Sequence, residues 1–333
     1  MKSVCLLADP TTPAWDFSKK VQEYIVKKDK KHVIPLYPIN KKIFRNKEIM
    51  PYVPENIRKQ DVYYVQSSNK NPSDWLMEII LMKDLLSSAS VKSFSLVLPN
   101  MFYSRQDRKT QSRVPISARA IARSIQSPKL ARIITMDLHA PQIQGFYNEE
   151  LPIDNLYSFP TVVDYVRKNY SNDLENLVLV SPDAGGVDRT MSFFKRMINA
   201  DAFEKINHHY DFAFTHKLRI TAGEIEKMWF IGDVNEKNAI IIDDIFDSGN
   251  TAIECKNKLK ENGARKVFIY ATHGLFTEGT KKLLDNFDAV MTSNTHYVSN
   301  PEDGDVKILD MTPLFGEAIY RAQKGQSISE LFD

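Results

Sequence analysis

The stretch from Asn238 to Thr251, Asn-Ala-Ile-Ile-Ile-Asp-Asp-Ile-Phe-Asp-Ser-Gly-Asn-Thr, carries the pattern that decides the fold. Residues 240–242 form a short β-branched apolar run, which is typical of a buried parallel strand. After Thr251 the spacing of apolar residues becomes helical. The stretch therefore predicts a strand, an acidic pair, a tight loop and the start of a helix, as found in α/β sheets.

The loop in this stretch has the composition of an anion site. Ser248 and Thr251 supply hydroxyl groups, Gly249 allows a close approach, and the new helix directs free N–H groups and the positive end of its dipole at the loop. The carboxylates of Asp243 and Asp244 suit two neighbouring sugar hydroxyls. We therefore expect a ribose 5-phosphate site, although a turn that only caps the helix has the same composition.

Size and composition limit the class of protein. The 333 residues suggest two domains, and 44 basic against 42 acidic residues give a formal net charge of only +2, which argues against a dedicated nucleic-acid binder. Cys5 and Cys255 lie far apart without metal-type or redox spacing, so we expect a reduced, cytoplasmic protein. No apolar run predicts a signal peptide or a membrane span.

Strand and helix patterns alternate along the chain, which predicts an α/β fold with mainly parallel sheets flanked by helices. The polar segment 152–160 is expected to be the domain junction. We expect an N-terminal α/β domain over residues 1–155, with 306–333 packing back on it, and a C-terminal α/β domain over 156–305. The expected strands are 4–8, 61–67, 94–98, 131–135, 177–180, 211–215, 229–231, 240–242, 267–271, 289–292 and 308–310, and the expected helices are 15–28, 75–86, 116–125, 188–198, 251–260 and 313–324.

A charged loop, residues 103–113, follows the predicted strand 94–98. It contains three arginines and a lysine at the carboxyl edge of a sheet, where ligands of open α/β folds bind. These cations suit a polyphosphate and can stack on a base. A solvated loop or a subunit contact would have the same composition.

Two further strand ends carry candidate metal ligands. Asp137 and His139 alternate, so we expect both side chains on one side of the end of the strand 131–135, where they could bind a divalent metal, although a structural histidine is the usual outcome. Asp183, before Gly185 and Gly186, is available to a hydrated metal, and an ordinary strand-to-helix turn is the alternative.

Lys217 and Arg219 follow the strand predicted over residues 211–215. They alternate like side chains on one face of a strand. Two cations placed there could neutralise charge that develops on a phosphoryl group, whereas exposed cations near a loop often have no role. No Walker A sequence is present, so a bound nucleotide would not use a P-loop.

In this order and spacing, the motifs resemble class I ribose-phosphate diphosphokinases, also called phosphoribosyl diphosphate synthetases. The resemblance implies two tandem phosphoribosyltransferase-type domains, with ATP bound on the N-terminal side. It also implies transfer of the β,γ-diphosphoryl group of Mg-ATP to the C1 hydroxyl of ribose 5-phosphate, giving 5-phosphoribosyl 1-diphosphate and AMP. The matching segments are residues 61–67, 103–117, 132–146, 180–186, 216–219, 241–251, 271–276 and 317–332.

The resemblance also assigns roles to residues of this chain. It implies Mg²⁺ as the cofactor and a homo-oligomer assembled from dimers, with a hexamer as the expected form. Lys217 and Arg219 are the expected catalytic cations. The implied ATP-binding residues are Phe44, Asn46, Glu48, Arg105, Gln106 and Asp107; the ribose 5-phosphate residues are Asp243, Asp244, Asp247, Ser248, Gly249, Asn250 and Thr251; and the metal residues are Asp137, His139 and Asp183.

The chain departs from the family pattern at several places. Asn250 replaces the usual glycine of the sugar-phosphate loop, Thr110 stands where an acidic residue is common, and residues 148–150 include a two-residue insertion. At the regulatory phosphate site of the family, Asn56 stands in place of a serine. The positions that do match that site are Arg58, Ser90, Ser112, Arg113, Ser327 and Ser329.

Two other classes of protein contain part of these motifs. A catalytically silent regulatory subunit of a synthetase complex would have the same fold, but loss of Lys217 or His139 would be its sign, and both are present. A phosphoribosyltransferase shares the acidic pair and the phosphate loop. The loop containing Arg105 and the second α/β domain argue against a phosphoribosyltransferase.

Overall fold

The computed structural model describes residues 4–205, 208–218, 227–296 and 305–332. The chain divides into two units, each with its own sheet. Unit 1 comprises the described residues within Met1–Tyr157, Thr295–Tyr297 and Met311–Asp333, and unit 2 comprises those within Ser158–Asn294 and Val298–Asp310.

The strands fall into two large sheets and one hairpin. In chain order they are β1 (Val4–Ala8), β2 (Leu36–Pro38), β3 (Asn40–Ile43), β4 (Ile49–Tyr52), β5 (Asp61–Val65), β6 (Ser93–Leu98), β7 (Leu130–Met136), β8 (Ile153–Leu156), β9 (Asn176–Ser181), β10 (His209–Leu218), β11 (Lys227–Ile231), β12 (Asn238–Phe246), β13 (Val267–Gly274), β14 (Ala289–Ser293) and β15 (Lys307–Leu309).

The described residues include eight α-helices and four 3-10 helices. They are α1 (Pro13–Lys28), α2 (Pro72–Ser88), α3 (Ser117–Ile125), α4 (Phe159–Asn169), α5 (Val187–Glu204), α6 (Asn250–Glu261), α7 (Lys281–Leu284) and α8 (Thr312–Lys324), with 3-10 helices at Pro141–Phe146, Ser171–Asp173, Ala184–Gly186 and Ser329–Leu331. Within the described ranges, no helix combines the length and the apolar character that crossing a bilayer requires.

Unit 1 is built on a parallel six-stranded sheet in the order β2-β1-β5-β6-β7-β8. Strands β1 and β5 are buried along their whole length, as expected for a sheet covered on both faces. Trp75 of α2 and Ile121 of α3 belong to the core on one face. On the other face, Gln323 of α8 donates a hydrogen bond to the Tyr63 hydroxyl of β5 at 2.8 Å.

The last helix, α8, packs closely on α1. The rings of Phe17 and Phe315 meet edge to face with their centres 5.3 Å apart. A Cβ atom on Gly316 would lie 2.7 Å from Cδ1 of Tyr24, so only glycine allows this approach of the α8 backbone. The C-terminal helix is thereby part of unit 1.

Unit 2 is built on a seven-stranded sheet in the order β11-β10-β9-β12-β13-β14-β15. All neighbouring strands are parallel except the edge strand β11, which is antiparallel to β10. Ala252, Cys255 and Leu259 of α6 pack into the core on one face. Phe193 of α5 lies 5.8 Å, ring centre to ring centre, from Tyr270 of β13. The central strand of this sheet is β12, and the loop and helix α6 follow it.

The predicted fold class is confirmed, and most predicted elements are present with shifted ends. The helix predicted over 313–324 is Thr312–Lys324 and the strand predicted over 4–8 is Val4–Ala8. The central strand is longer than predicted, because β12 continues beyond residue 242 to Phe246 while its neighbour β13 keeps pairing with it. The acidic pair therefore lies within the strand and does not follow it.

Some elements have no counterpart in the sequence analysis. The hairpin β3–β4 and helix α4 were not predicted, and Ile153–Leu156, within the segment predicted to be the domain junction, forms the edge strand β8. β8 is four residues long and carries Asp154 and Asn155, so its apolar pattern is weak. Its strand conformation comes from pairing with β7, which a local pattern does not report.

The central position of β12 gives a stability prediction. Ile241 is fully buried in the unit 2 core, so Ile241→Ala should leave a cavity and lower the free energy of unfolding by about 2–5 kcal/mol. Ile308 of β15 is 44% exposed, and Ile308→Ala should cost less than about 1 kcal/mol. Urea unfolding followed by circular dichroism measures both. Equal effects of the two substitutions would contradict this description of the core.

Candidate active site

The acidic pair lies at the carboxyl edge of the unit 2 sheet. β9 pairs with β12 only as far as Ile241, opposite Val180, so on that side Asp243 and Asp244 extend beyond the recorded pairing of the neighbouring strand. Asp244 is buried, whereas Asp243 is partly exposed. Of the two carboxylates, that of Asp243 is therefore the more accessible to a ligand.

Arg189 of α5 lies next to both carboxylates of the acidic pair. Its Nη1 lies 3.1 Å from Oδ1 of Asp244 and 3.6 Å from Oδ1 of Asp243. Burial and the neighbouring Asp244 carboxylate raise the pKa of Asp243 well above its usual value, and Arg189 only partly offsets this. Sequence reasoning missed Arg189, although it lies three residues after the glycine pair that was singled out.

The glycine loop lets Arg189 approach the acidic pair. The Asp183 carboxylate accepts a 2.9 Å hydrogen bond from the backbone N–H of Gly186, and the Ser181 hydroxyl donates to the carbonyl of Asp183 at 2.6 Å. A Cβ on Gly186 would lie 2.7 Å from Oγ of Ser181 and 3.7 Å from Nη1 of Arg189. Asp183, predicted as a metal residue, therefore also closes the turn before α5.

The loop between β12 and α6, residues 247–249, has the geometry of an anion site. Gly249 has φ +79°, a conformation that favours glycine, and it directly precedes the first residue of α6. The first N–H groups of a helix have no partner within the helix, so they point towards the loop side. The predicted phosphate-binding residues Asp247, Ser248, Gly249, Asn250 and Thr251 are thus brought together at one helix end.

A second segment holds this loop. We call residues 277–283 the brace. The Thr277 hydroxyl donates to Oδ1 of Asp247 at 2.6 Å, and its N–H donates to the Asp247 carbonyl at 3.2 Å. A Cβ on Gly249 would lie 2.8 Å from Cδ2 of the buried Leu283. Lys282 donates a hydrogen bond to Oδ1 of Asn250. The brace therefore contacts three residues of the candidate site, and sequence reasoning found none of these contacts.

In unit 1, Asp137 directly follows β7. The strand ends at Met136 and Asp137 has φ +41°, so the expected strand-like alternation of Asp137 and His139 is wrong. Asp137 is 5% exposed and His139 is exposed. The N–H of Asp137 donates to the Leu156 carbonyl of β8 at 2.9 Å, and this bond holds the residue in its turn.

The loop with Arg105, Gln106 and Asp107 is tied to its neighbours. The Gln106 side-chain oxygen accepts a 2.5 Å hydrogen bond from the Ser117 hydroxyl at the start of α3. The amide of Gln142, in the 3-10 helix after His139, donates to Oδ2 of Asp107 at 2.8 Å. The loop and the Asp137–His139 segment are thereby joined at one edge of the unit 1 sheet. Gln142 was missed because it belongs to no local motif.

Phe44, Asn46 and Glu48 lie in the turn of the β3–β4 hairpin. The N–H of Phe44 donates to the Glu48 carbonyl at 2.8 Å, and Asn46 Oδ1 accepts from the N–H of Glu48 at 3.2 Å. The Phe44 ring is 40% exposed, and the Lys42 ammonium lies 5.2 Å from its centre. The turn presents an aromatic face to solvent, which suits stacking on a base.

The predicted catalytic cations are only partly described. The backbone of Lys217 lies in β10, opposite Met228 of β11, so the strand extends past the predicted end at residue 215. Arg219 lies outside the described residues. The cysteines, Cys5 and Cys255, are buried in the cores, and burial raises the pKa of both thiols to about 12. They stay protonated at neutral pH, in keeping with the absence of an assigned role.

A charged network in unit 1 contrasts with the acidic pair of unit 2. The Lys41 ammonium lies 2.5 Å from Asp9 and 2.8 Å from Glu78, and the Lys70 ammonium lies 2.5 Å from Glu78. Burial alone would raise the pKa of Glu78, but Lys70 and Lys41 outweigh it and hold the pKa below its usual value. Two cations balance two carboxylates, so this network is complete without a ligand.

The predicted metal ligands are distributed over both units. In the part of the chain that the structure describes, no three His, Cys, Asp or Glu side chains lie close enough together to hold a metal ion. Asp137 and His139 belong to unit 1 and Asp183 to unit 2. Mg²⁺ usually keeps several waters and binds one or two carboxylates together with substrate phosphates. The Asp137 and Asp183 carboxylates are thus of the chemical type that suits a metal ion already bound to a phosphate.

Two families match the sequence. Residues 14–128 match the N-terminal domain of ribose phosphate pyrophosphokinase, and residues 215–333 match the phosphoribosyl synthetase-associated domain. The chain is 36% identical to Ribose-phosphate pyrophosphokinase 4 of Saccharomyces cerevisiae over 339 residues, covering 100% of this chain and 95% of that protein. It is 39% identical to Ribose-phosphate pyrophosphokinase of Hyphomonas neptunium, covering 88% and 90%.

A solved structure resembles the fold over nearly the whole chain. The crystal structure of phosphoribosylpyrophosphate synthetase from Mycobacterium smegmatis matches with a TM-score of 0.82 and 29% sequence identity. The match covers 97% of this chain and 100% of that chain. The similarity therefore includes both units.

The backbone conformation at Gly249 gives a prediction with a matched control. Gly279 also has a positive φ, +81°, but an added Cβ there would meet nothing within 4 Å, whereas at Gly249 it would meet Leu283. Both alanine variants should lose about 1–2 kcal/mol for the left-handed backbone, and Gly249→Ala should lose more. Urea unfolding measures the difference. Equal losses would show that the Leu283 contact does not constrain the loop.

The raised pKa of Asp243 predicts a pH-dependent gain of stability on neutralisation. Because the folded pKa lies above the unfolded value, ionising Asp243 costs stability at pH values above the folded pKa, and this cost decreases as the pH falls from the folded pKa to the unfolded value of about 4. Asp243→Asn should therefore raise the thermal unfolding midpoint by about 2–4 °C at pH 7.5, with a smaller gain at pH 5.

A control for this prediction is Asp285→Asn, since Asp285 is an exposed acid in the same unit that pairs with Lys281. It should leave the midpoint nearly unchanged at both pH values. A lower midpoint for Asp243→Asn at pH 7.5 would mean that the Arg189 contact outweighs the burial of the carboxylate.

Proposed function

The chain belongs to the ribose-phosphate pyrophosphokinase family, and on this premise we propose how its residues perform the reaction of that family. The reaction transfers the β,γ-diphosphoryl group of ATP to the C1 hydroxyl of ribose 5-phosphate, giving 5-phosphoribosyl 1-diphosphate and AMP. The observation that carries the assignment of residues is the acidic pair in unit 2, with Asp243 partly exposed, beside the loop at the start of α6.

The ribose 5-phosphate site is proposed at the carboxyl edge of β12. Asp243 and Asp244 accept hydrogen bonds from the two neighbouring ribose hydroxyls, and Arg189 limits the negative charge of the pair. Residues 247–251 bind the 5-phosphate through hydroxyl groups and through N–H groups at the start of α6. A sugar bound at both ends is fixed in orientation, which leaves its C1 hydroxyl to attack.

The ATP site is proposed on unit 1. The exposed Phe44 ring stacks on the adenine, and the hairpin turn supplies polar groups to the base. Arg105 binds the phosphates as a cation, while Asp107 fixes its own loop through Gln142. The complete proposed set is Phe44, Asn46, Glu48, Arg105, Gln106 and Asp107.

Catalysis is proposed to rest on positioning and charge. The C1 hydroxyl must approach the β-phosphorus in line with the departing AMP oxygen, and no covalent enzyme intermediate is needed. Lys217 and Arg219 are the proposed catalytic residues, because two cations neutralise charge on the transferred group and the leaving oxygen. A segment that carries them over both substrates would also exclude water and limit ATP hydrolysis.

Mg²⁺ is the proposed cofactor, with Asp137, His139 and Asp183 as its protein ligands. These residues would hold the ion together with phosphate groups of ATP, and its positive charge would reduce the negative charge of the phosphates. The carboxylate oxygens of Asp137 and Asp183 suit this hard cation, and Asp137 is held by its backbone bond to Leu156. We also propose that the protein works in the cytoplasm as a homo-oligomer built from dimers, with a hexamer as the expected form.

An assay with ATP, Mg²⁺ and ribose 5-phosphate tests the proposal. The parent should form AMP and 5-phosphoribosyl 1-diphosphate in equal amounts, and only when the sugar phosphate is present. Lys217→Ala should lower kcat by about 100- to 1000-fold through loss of charge stabilisation. Lys168→Ala, at an exposed position on α4, should keep the parent rate.

Four outcomes would overturn parts of this proposal. AMP formation without ribose 5-phosphate would exclude the reaction. Full activity of Lys217→Ala would remove that residue from catalysis. A pure chain that is inert alone but alters the rate of an active synthetase would instead be a regulatory subunit, and consumption of 5-phosphoribosyl 1-diphosphate with a base would indicate a phosphoribosyltransferase.

A further inference from the structure

Lys282 lies beside the loop assigned to the 5-phosphate. It belongs to α7 and donates a hydrogen bond to the side-chain oxygen of Asn250, the first residue of α6. The next residue, Leu283, is buried against Gly249. Two consecutive residues of α7 thus contact Gly249 and Asn250, so packing fixes the backbone of Lys282 beside the loop.

The hydrogen bond places a positive charge near the anion site. Since lysine can only donate, Oδ1 of Asn250 must face Lys282, and the ammonium lies within one side chain's length of the Asn250 backbone N–H. That N–H is one of the first in α6. At such a separation, solvent ions screen the attraction between an ammonium group and a phosphate only in part.

The local charge balance favours such a cation. Asp243, Asp244 and Asp247 are all acidic, and the positive charge of Arg189 is directed at the first two of them. A sugar phosphate brings further negative charge to this edge. An ammonium group next to the loop would offset part of the repulsion between the phosphate and Asp247.

Glu278 competes for the same ammonium group. Its carboxylate lies 3.1 Å from the Lys282 nitrogen, and the two residues are four positions apart in the sequence. The Lys282 side chain is partly exposed, so it can turn from Glu278 to a bound anion. Glu278 therefore holds the lysine in the absence of a ligand and weakens its attraction for one.

We propose that Lys282, positioned by Asn250 and opposed by Glu278, binds the 5-phosphate of ribose 5-phosphate. The inference rests on the proposed function and adds a residue outside the loop to the sugar-phosphate site. Lys282 acts on binding of the sugar phosphate and not on transfer of the diphosphoryl group, so its removal raises KM for ribose 5-phosphate and leaves kcat nearly unchanged.

The test compares substitutions that move the local charge in opposite directions. Lys282→Gln should raise KM for ribose 5-phosphate by about 3- to 10-fold, and Glu278→Gln should lower it by about 2-fold. Neither should change KM for ATP. Lys281→Gln is the matched control, because Lys281 is the adjacent exposed lysine and pairs with Asp285; its KM should equal that of the parent.

A double variant tests the role of Asn250. If Asn250 positions Lys282, adding Asn250→Gly to Lys282→Gln should raise KM less than the product of the two single effects. Lys282→Arg keeps the charge and should bind more tightly than Lys282→Gln, and calorimetric titration with ribose 5-phosphate checks this without turnover.

The outcomes separate this inference from the proposed function. A parent enzyme that uses ribose 5-phosphate, together with an unchanged KM in a folded Lys282→Gln variant, would overturn the role of Lys282 alone. Equal KM changes in the same direction for Lys282→Gln and Glu278→Gln would indicate a structural contact and also overturn it. A parent without activity that depends on ribose 5-phosphate would refute the proposed function first.

Discussion

The contact between Arg189 and the pair Asp243–Asp244 is the constraint on which the rest of the unit 2 site depends. Two adjacent carboxylates in a poorly solvated position repel each other, and a buried charge without a partner costs about 3–5 kcal/mol. Arg189 offsets this only if α5 begins close to β12. That approach requires Gly186, where a side chain would collide with Ser181. The glycine pair therefore serves the electrostatics of the neighbouring strand, whatever its further role towards a ligand.

The proposed phosphate loop, residues 247–251, is subject to a second constraint, which is that its binding groups must stay available. A loop that used its own N–H groups and hydroxyls to hold its shape would have none left for an anion. Residues 247–250 are instead held from outside by the brace, through Thr277, Leu283 and Lys282. Such external support fixes a site before the ligand arrives, and the entropy of ordering the loop is then not lost on binding.

Much of the fold could be predicted from the sequence, because continuous apolar runs such as residues 240–242 report burial in a parallel sheet. The hairpin β3–β4 and the edge strand β8 could not be predicted, since their conformation depends on pairing with distant residues. The same limit applies to the site. The loop and the acidic pair are contiguous and form a motif, whereas Arg189, Gln142 and Lys282 come from other elements and belong to no motif. The expected alternation of Asp137 and His139 was wrong because β7 ends at Met136 and Asp137 has a positive φ.

Charge balance separates a structural cluster from a ligand site in this protein. In unit 1, Lys41 and Lys70 match Asp9 and Glu78, and the pKa of Glu78 lies below its usual value, so the network already favours its ionised form. In the described part of unit 2, Arg189 contacts both carboxylates of the pair, and the pKa of Asp243 is raised because burial and Asp244 outweigh Arg189. An unbalanced group gains most from a hydrogen-bond donor or a cation that arrives with a ligand. Binding of a ligand would therefore recover part of this cost, and this property distinguishes the proposed site at the edge of β12 from the unit 1 network.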